Sequence, residues 1–283
     1  MMKTKLKNIV YSRWPYLEIV WIKLNKAIGR IRSAPIMFSG WSMTTSAIVP
    51  WFNAGDKAAA GFLKAHEALI NKLRTGEFTT SQFRDVYNKE SIFSELMWRH
   101  YIIYWSASYA AKATNCSSKN LVECGVCDGM GVFFAISALR ENKLDFRCYL
   151  YDAWEGMKED SLVESERTAI GEYSYLKLES TQENLIEFES NTVFNKGYIP
   201  DLFEKSSNPD SLVWLHIDLN SSLPTKYALE YFFEKIPKGG VILFDDYAWQ
   251  GFADTQKIVD EFFVDKPGML LPLPTGQSIF FKL

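Results

Sequence analysis

This sequence of 283 residues has few cysteines, no excess of basic over acidic side chains and no long apolar runs. Its four cysteines are too few for a fold of this length that is stabilised by disulfide bonds. No second cysteine or histidine pair completes a zinc site with Cys124 and Cys127. Thirty-one basic against 34 acidic side chains give a net charge of -3, which leaves no basic surplus for a long nucleic-acid footprint. These absences exclude a disulfide scaffold and argue against nucleic acid as a partner.

No run of residues reaches the roughly 18 to 20 apolar positions that a membrane-spanning helix requires. The N-terminus also lacks an uninterrupted apolar segment followed by a small-residue cleavage site. Residues 11–32 carry an amphipathic pattern with Lys and Arg between the apolar positions, which is typical of a helix packed on its own domain and less often of one on a membrane surface. The sequence predicts a cytoplasmic protein without membrane contact and leaves a homo-oligomer open.

Two parts of the chain differ in their apolar pattern. Residues 1–115 lack strand alternation and predict helices at 11–32, 58–73 and 91–113. Residues 116–283 repeat short apolar runs between helical patterns. We therefore predict an N-terminal helical extension followed by one main α/β domain.

A loop is predicted at residues 38–53, where Gly, Pro and polar residues lie between Trp41 and Trp51. A loop of this kind can close over a substrate as a lid, or it can fill a groove as an ordered strap. The sequence leaves both interpretations open.

Strands and helices alternate after residue 120. The predicted strands are 120–126, 146–152, 192–195, 212–218 and 241–246, and the predicted helices are 129–141, 181–189, 225–236 and 254–264. Two final runs, 269–272 and 278–282, predict an antiparallel pair. This alternation predicts a doubly wound, mostly parallel, Rossmann-like sheet covered on both faces.

Ligands of such sheets bind beyond the carboxyl ends of the strands, so we examined the residues that end each strand. Glu123 ends the first strand and precedes a turn containing Gly125 and Gly129, where glycine permits tight turning and close approach to a ligand. Asp152 ends the second strand, where a carboxylate can accept hydrogen bonds from ribose hydroxyls. Together these two ends suggest a ligand with an adenosyl group.

Three more carboxylates follow the next two strands, Asp218 after one and Asp245 and Asp246 after the other. In a 3-2-1-4-5 strand order they meet at one edge of the sheet, where their charges repel unless a cation is present. Oxygen ligands without a histidine pair favour Mg²⁺ or another hard divalent cation over zinc. The alternative is that one Asp caps a helix and another faces water. His216, two residues before Asp218, is interpreted as a core histidine or as a residue that orients a ligand.

Several motifs together resemble the macrocin O-methyltransferase family of S-adenosylmethionine-dependent enzymes, which methylate sugar hydroxyls. They are Val122-Glu-Cys-Gly-Val-Cys-Asp-Gly-Met130, Tyr151-Asp-Ala-Trp-Glu-Gly156, Asn195-Lys-Gly-Tyr-Ile-Pro-Asp-Leu202, His216-Ile-Asp218 and Gly239-Gly-Val-Ile-Leu-Phe-Asp-Asp-Tyr247. The resemblance implies that Asp218, Asp245 and Asp246 hold Mg²⁺, that the turn from Glu123 to Gly129 cradles the methionine part of the cofactor and that Asp152 binds its ribose. The chain has Asn220 and Ala153 where the family usually has Asp and Ser.

We therefore expect a metal-dependent O-methyltransferase that acts on a small hydroxylated acceptor, such as a sugar or a glycosylated natural product. Asp218 is the expected general base, because an alcohol needs a proton acceptor when it attacks a methyl group at neutral pH. Two alternatives stay open at this point. The chain could be a divergent enzyme on the same fold, such as a hydroxylase-type protein, or a non-catalytic adenosyl-binding module.

Overall fold

The computed structural model describes residues 57–80, 97–249 and 251–283. The predicted helix at residues 11–32, the first six residues of the predicted helix at 91–113 and the loop at 38–53 lie outside these ranges. No helix within the described part of the chain has both the length and the apolar character needed to cross a membrane.

Seven strands form one mixed sheet in the order β3-β2-β1-β4-β5-β7-β6. The strands are β1 (Lys119–Cys124), β2 (Phe146–Asp152), β3 (Thr192–Lys196), β4 (Trp214–Ile217), β5 (Val241–Phe244), β6 (Gly268–Pro272) and β7 (Ser278–Lys282). The first five strands pair in parallel, whereas β7 pairs antiparallel with both β5 and β6. The predicted Rossmann-like fold, with its closing antiparallel pair, is confirmed.

Helices cover both faces of this sheet, because successive strand residues point to opposite sides. The described α-helices are α1 (Lys57–Thr75), α2 (Met97–Ala113), α3 (Met130–Glu141), α4 (Leu178–Asn184), α5 (Ser222–Phe232) and α6 (Ala253–Phe263). Leu121 and Leu150 pack in one apolar core with residues of α1, α2 and α3, whereas Val122 and Tyr151 pack in the other with residues of α5 and α6. Helices α1 and α2 thus share a core with the sheet, and the proposed boundary near residue 115 stays a prediction.

Two predicted helices differ from the observed ones. The predicted helix 225–236 begins earlier, at Ser222, because Pro224 lies in its first turn, where proline needs no hydrogen-bond partner. The predicted helix 181–189 is α4 followed by a 3-10 segment, Ile186–Asn191. Neither difference changes which residues end the strands.

Candidate active site at the carboxyl edge of the sheet

The carboxyl ends of β1, β2, β4 and β5 open into one cavity of about 630 Å³. Six of the seven residues that the sequence analysis selected line it, namely Glu123, Gly125, Asp152, Asp218, Asp245 and Asp246. The seventh, Gly129, has a φ of 89° just before α3, and a Cβ there would lie 3.0 Å from a methyl carbon of Leu185. The strand order therefore brings the predicted residues together as expected.

Gly125 allows the ends of β1 and β4 to approach each other closely. Its φ is 87°, and a Cβ at this position would lie 1.7 Å from the carbonyl oxygen of Asp218. The backbone N–H of Asp218 in turn donates to the carbonyl of Cys124 at 2.9 Å. Glycine at 125 therefore lets the backbone of Asp218 pack directly against the turn after β1.

Asp152 holds the turn after β1 with one carboxylate oxygen and the segment after β2 with the other. Oδ2 accepts hydrogen bonds from the backbone N–H groups of Val126 and Cys127 at 2.8 and 2.9 Å, and Oδ1 accepts one from Trp154 at 2.7 Å. Burial raises the pKa of Asp152, and these N–H groups oppose the shift. The sequence analysis missed this role, which is compatible with ribose binding because each carboxylate oxygen has more than one lone pair.

Glu123 and His216 form a buried pair on neighbouring strands. They are register partners between β1 and β4, and Glu123 Oε1 lies 2.7 Å from His216 Nδ1. Burial raises the pKa of Glu123 and lowers the pKa of His216 to about 4. Burial opposes the charged form of each residue, and the tautomer of His216 decides which of the two donates the hydrogen bond.

The carboxylates after β4 and β5 have partners that the sequence analysis did not identify. Asp245 makes an ion pair with Arg99 of α2 and accepts a hydrogen bond from Gln277 at 2.9 Å. Asp246 accepts a hydrogen bond from the backbone N–H of Asn220 at 3.1 Å, and the Asn220 side chain donates to Asp218 at 3.2 Å. Arg99 thus neutralises part of the negative charge, whereas the sequence analysis expected a bound cation to neutralise all of it.

The remaining charge in this cluster still fits a divalent cation. Asp218 and Asp245, together with His216, each offer a ligand atom within 4.8 Å of the other two. Burial, together with the nearby Asp218 carboxylate, raises the pKa of Asp246 to about 8. Such neighbouring carboxylates need either a retained proton or a cation.

A second carboxylate near the turn, Asp128, was also missed. It is buried and lines the cavity, and burial raises its pKa to about 6 against the opposing effect of the nearby Thr80 hydroxyl. Asn184 ties this turn to the segment after α1, because its side chain donates to the carbonyl oxygens of both Asp128 and Thr79 at 2.8 Å. Only the tertiary fold brings these three segments together.

Residues 153–177 contribute several side chains to the cavity lining, whereas the sequence analysis had considered only 38–53 as a possible lid. Glu166 of this segment accepts a hydrogen bond from the backbone N–H of Ser222 at 2.8 Å, and Trp154 Nε1 donates to the carbonyl of Cys127 at 3.0 Å. Aromatic side chains line the wall around the opening, namely Tyr173, Tyr175, Tyr198, Trp249 and Phe252. Such a wall offers ring faces on which the apolar side of a sugar can pack.

Raising the pH should destabilise the metal-free protein through Asp246. Its folded-state pKa of about 8 lies above the unfolded value of about 3.9, so the folded state binds this proton more tightly. That stabilisation is present at low pH and is lost as the pH rises from about 4 through about 8. The thermal midpoint measured in chelator should fall over this range, and it should fall less in Asp246→Asn. An equal fall in both proteins would assign the effect to other groups, such as Asp128.

Comparisons with known proteins agree with this arrangement. Residues 122–247 match a family described as a methyltransferase domain. The solved structure of the O-methyltransferase NovP is similar with a TM-score of 0.62 and 16% identity over 80% of this chain and 99% of that one. CalS11, a calicheamicin methyltransferase, is similar with a TM-score of 0.52 and 16% identity, covering 77% and 91%. A search of curated proteins found no match.

The matched segment runs from β1 to the residue after Asp246 and so contains every predicted site residue. The chain therefore carries a methyltransferase domain on a Rossmann-like fold. The prediction of an S-adenosylmethionine-dependent methyltransferase is confirmed at the level of this class. The narrower resemblance to the macrocin family stays a prediction.

Proposed function

We propose that this protein transfers the methyl group of S-adenosylmethionine to a hydroxyl of a sugar or a glycosylated natural product, with the help of a divalent cation such as Mg²⁺. The observation that carries this proposal is the cluster of Asp218, Asp245 and Asp246 beside the glycine turn in one cavity. A carboxylate cluster in the same cavity as a cofactor-binding turn can hold a cation that activates an oxygen nucleophile.

The cofactor half of the cavity lies between β1 and β2. Its methionine part would lie along the turn from Glu123 to Gly129, and Asp152 would accept hydrogen bonds from the ribose. The Asp152 carboxylate is well placed for both tasks because it already fixes the turn through Val126 and Cys127. One side chain then couples the shape of the turn to the position of the ribose.

The cation would be held by Asp218 and Asp245, with Asp246 beside them. When bound, it supplies positive charge that lowers the pKa of the acceptor hydroxyl. Arg99 orients Asp245 through an ion pair, and Asn220 holds Asp218 through its side-chain amide.

Asp218 acts as the general base in the proposed reaction. The acceptor oxygen forms a bond to the methyl carbon while the bond from that carbon to the sulfonium sulfur breaks, and S-adenosylhomocysteine leaves as a neutral thioether. The hydroxyl proton passes to the Asp218 carboxylate. Because direct displacement needs little covalent help, the protein acts mainly by aligning the two reactants.

A sugar acceptor is favoured by two observations. The cavity lining includes the aromatic side chains of Tyr173 and Tyr175. The sequence motifs also resemble those of enzymes that methylate sugar hydroxyls.

Removing divalent metal should abolish turnover. The test incubates the protein with deuterated-methyl S-adenosylmethionine and a panel of glycosides, and mass spectrometry detects transfer of the labelled methyl group. Chelator should stop transfer, and added Mg²⁺ should restore it. In Asp245→Asn and Asp246→Asn, we expect activity to return only at a higher Mg²⁺ concentration. Full activity in excess chelator would show that no cation is needed and that the contacts of Asp245 and Asp246 are structural.

A further inference from the structure

His216 has one ring nitrogen engaged and one without a partner. Nδ1 lies 2.7 Å from the Glu123 carboxylate, whereas Nε2 has no hydrogen-bond partner among the described residues. The side chain is only 1% exposed. A buried imidazole nitrogen without a partner lowers the stability of the protein unless a ligand or another group binds to that nitrogen.

The position of His216 places its imidazole ring in the same cavity as the carboxylates. His216 and Asp218 are two residues apart across the end of β4, and His216 lines the same cavity as Asp218 and Asp245. Ligand atoms of these three residues lie within 4.8 Å of one another. Because Nδ1 is engaged by Glu123, Nε2 is the atom that His216 can offer.

Glu123 matches the partner that metal-binding histidines usually have. A ligating imidazole generally donates its other N–H to a carboxylate, which fixes the tautomer and orients the ring. Gly131 leaves room for this partner, since a Cβ there would lie 2.5 Å from Glu123 Oε1 and 3.6 Å from His216 Cε1. Both residues of the pair are therefore held in place by the sheet register and by the start of α3.

From this geometry, we propose that His216 Nε2 is a direct ligand of the catalytic cation together with Asp218 and Asp245, and that Glu123 is its orienting partner. The inference rests on the proposed function and refines it, because the sequence analysis had assigned an oxygen-only set that includes Asp246. It also gives Glu123 a role in the metal centre besides the cofactor role expected from the sequence.

A nitrogen ligand changes which cation the centre favours. Mg²⁺ prefers oxygen ligands, whereas imidazole suits first-row transition ions. A centre with one imidazole and two carboxylates should therefore bind Mn²⁺ more tightly than Mg²⁺. Asp246 would lie outside the ligand set, where the backbone N–H of Asn220 already contacts it.

The test uses Mn²⁺ as the probe and pulsed electron paramagnetic resonance as the readout. Mn²⁺ is added to the full chain grown with natural-abundance nitrogen or with ¹⁵N-labelled histidine. We expect a histidine nitrogen coupling whose frequency changes with the label. Because the two samples have the same sequence, misfolding of a variant cannot produce this result.

Three variants then identify which histidine supplies the nitrogen that couples to Mn²⁺. His216→Gln should remove the coupling and weaken Mn²⁺ binding by about 10-fold or more, and Glu123→Gln should weaken it by about 10- to 100-fold. His100→Gln is the matched control, because His100 also lines the cavity but does not belong to the cluster. It should keep the coupling.

Mn²⁺ that binds without a histidine coupling, or a coupling that survives in folded His216→Gln, would overturn the proposal. The first result leaves the proposed methyl transfer intact with an oxygen-only centre. Failure to bind Mn²⁺ would overturn the ligand proposal and the role of the cation together. Binding of S-adenosylhomocysteine, measured by calorimetry on the same samples, reports the cofactor site separately.

Discussion

Replacing Asp218 with Asn is expected to lower kcat by about 10²- to 10⁴-fold. The amide keeps the shape of the side chain and one oxygen ligand, but it removes a negative charge and the proposed base. Affinity for S-adenosylhomocysteine should change much less, because the proposed cofactor contacts come from Asp152 and the turn after β1 and not from the Asp218 carboxylate. Single-turnover kinetics at saturating Mg²⁺ and calorimetry on the same preparation would measure the two effects.

Asp245→Asn is the matched control for this substitution, since it removes the same charge from the cluster without removing the proposed base. We expect its activity to recover at high metal concentration, whereas that of Asp218→Asn should not. Recovery of both variants to the wild-type rate would remove Asp218 from the role of base.

Asp152→Ala is expected to weaken S-adenosylmethionine binding by about 1.5 to 3 kcal/mol, because a charge-assisted acceptor is lost. The structure adds a second effect that the sequence did not indicate. The substitution leaves three backbone N–H groups, those of Val126, Cys127 and Trp154, without their acceptor. We therefore expect the free energy of unfolding to fall by at least about 2 kcal/mol as well.

Asp152→Asn separates these two effects, because the amide oxygen can still accept from Val126 and Cys127. Its loss of stability should be smaller than that of Asp152→Ala, while its affinity for the cofactor should still fall. Calorimetric titration with S-adenosylmethionine and urea unfolding would measure both quantities. A folded Asp152→Ala that binds the cofactor with wild-type affinity would show that the ribose lies elsewhere.

The sheet was predictable because its signals are local. Apolar runs between helical patterns set the strands, and β2 and β7 begin and end where the sequence predicts. The 3-2-1-4-5 order that the sequence analysis assumed for the parallel strands is the order observed. With that order, the residues that end each strand could be placed at one edge of the sheet before any coordinates were known.

The partners of those residues were not predictable, because they come from distant segments. Arg99 lies 146 positions before Asp245, and Gln277 lies 32 positions after it. Nothing in the local pattern of α2 distinguishes Arg99 from a solvated surface residue. The charge balance of the cluster therefore depends on tertiary contacts. These contacts cannot be predicted from the residues that end the strands.

Glu123 illustrates a second feature that the sequence does not reveal. Its place at the end of β1 suggested contact with the cofactor, but that strand end also faces β4, where His216 is its register partner. Which neighbour a buried carboxylate contacts depends on side-chain direction, and this follows from the register between strands. The sequence analysis considered His216 and Glu123 separately, so their pairing was missed.

Isothermal titration of the purified protein with S-adenosylhomocysteine, with and without Mg²⁺, tests the central claim most directly. We predict saturable heat corresponding to one site per chain, and a loss of affinity in Asp152→Asn measured under the same conditions. The absence of any heat of binding from folded protein, in both the presence and the absence of Mg²⁺, would contradict the assignment of this cavity to methyl transfer.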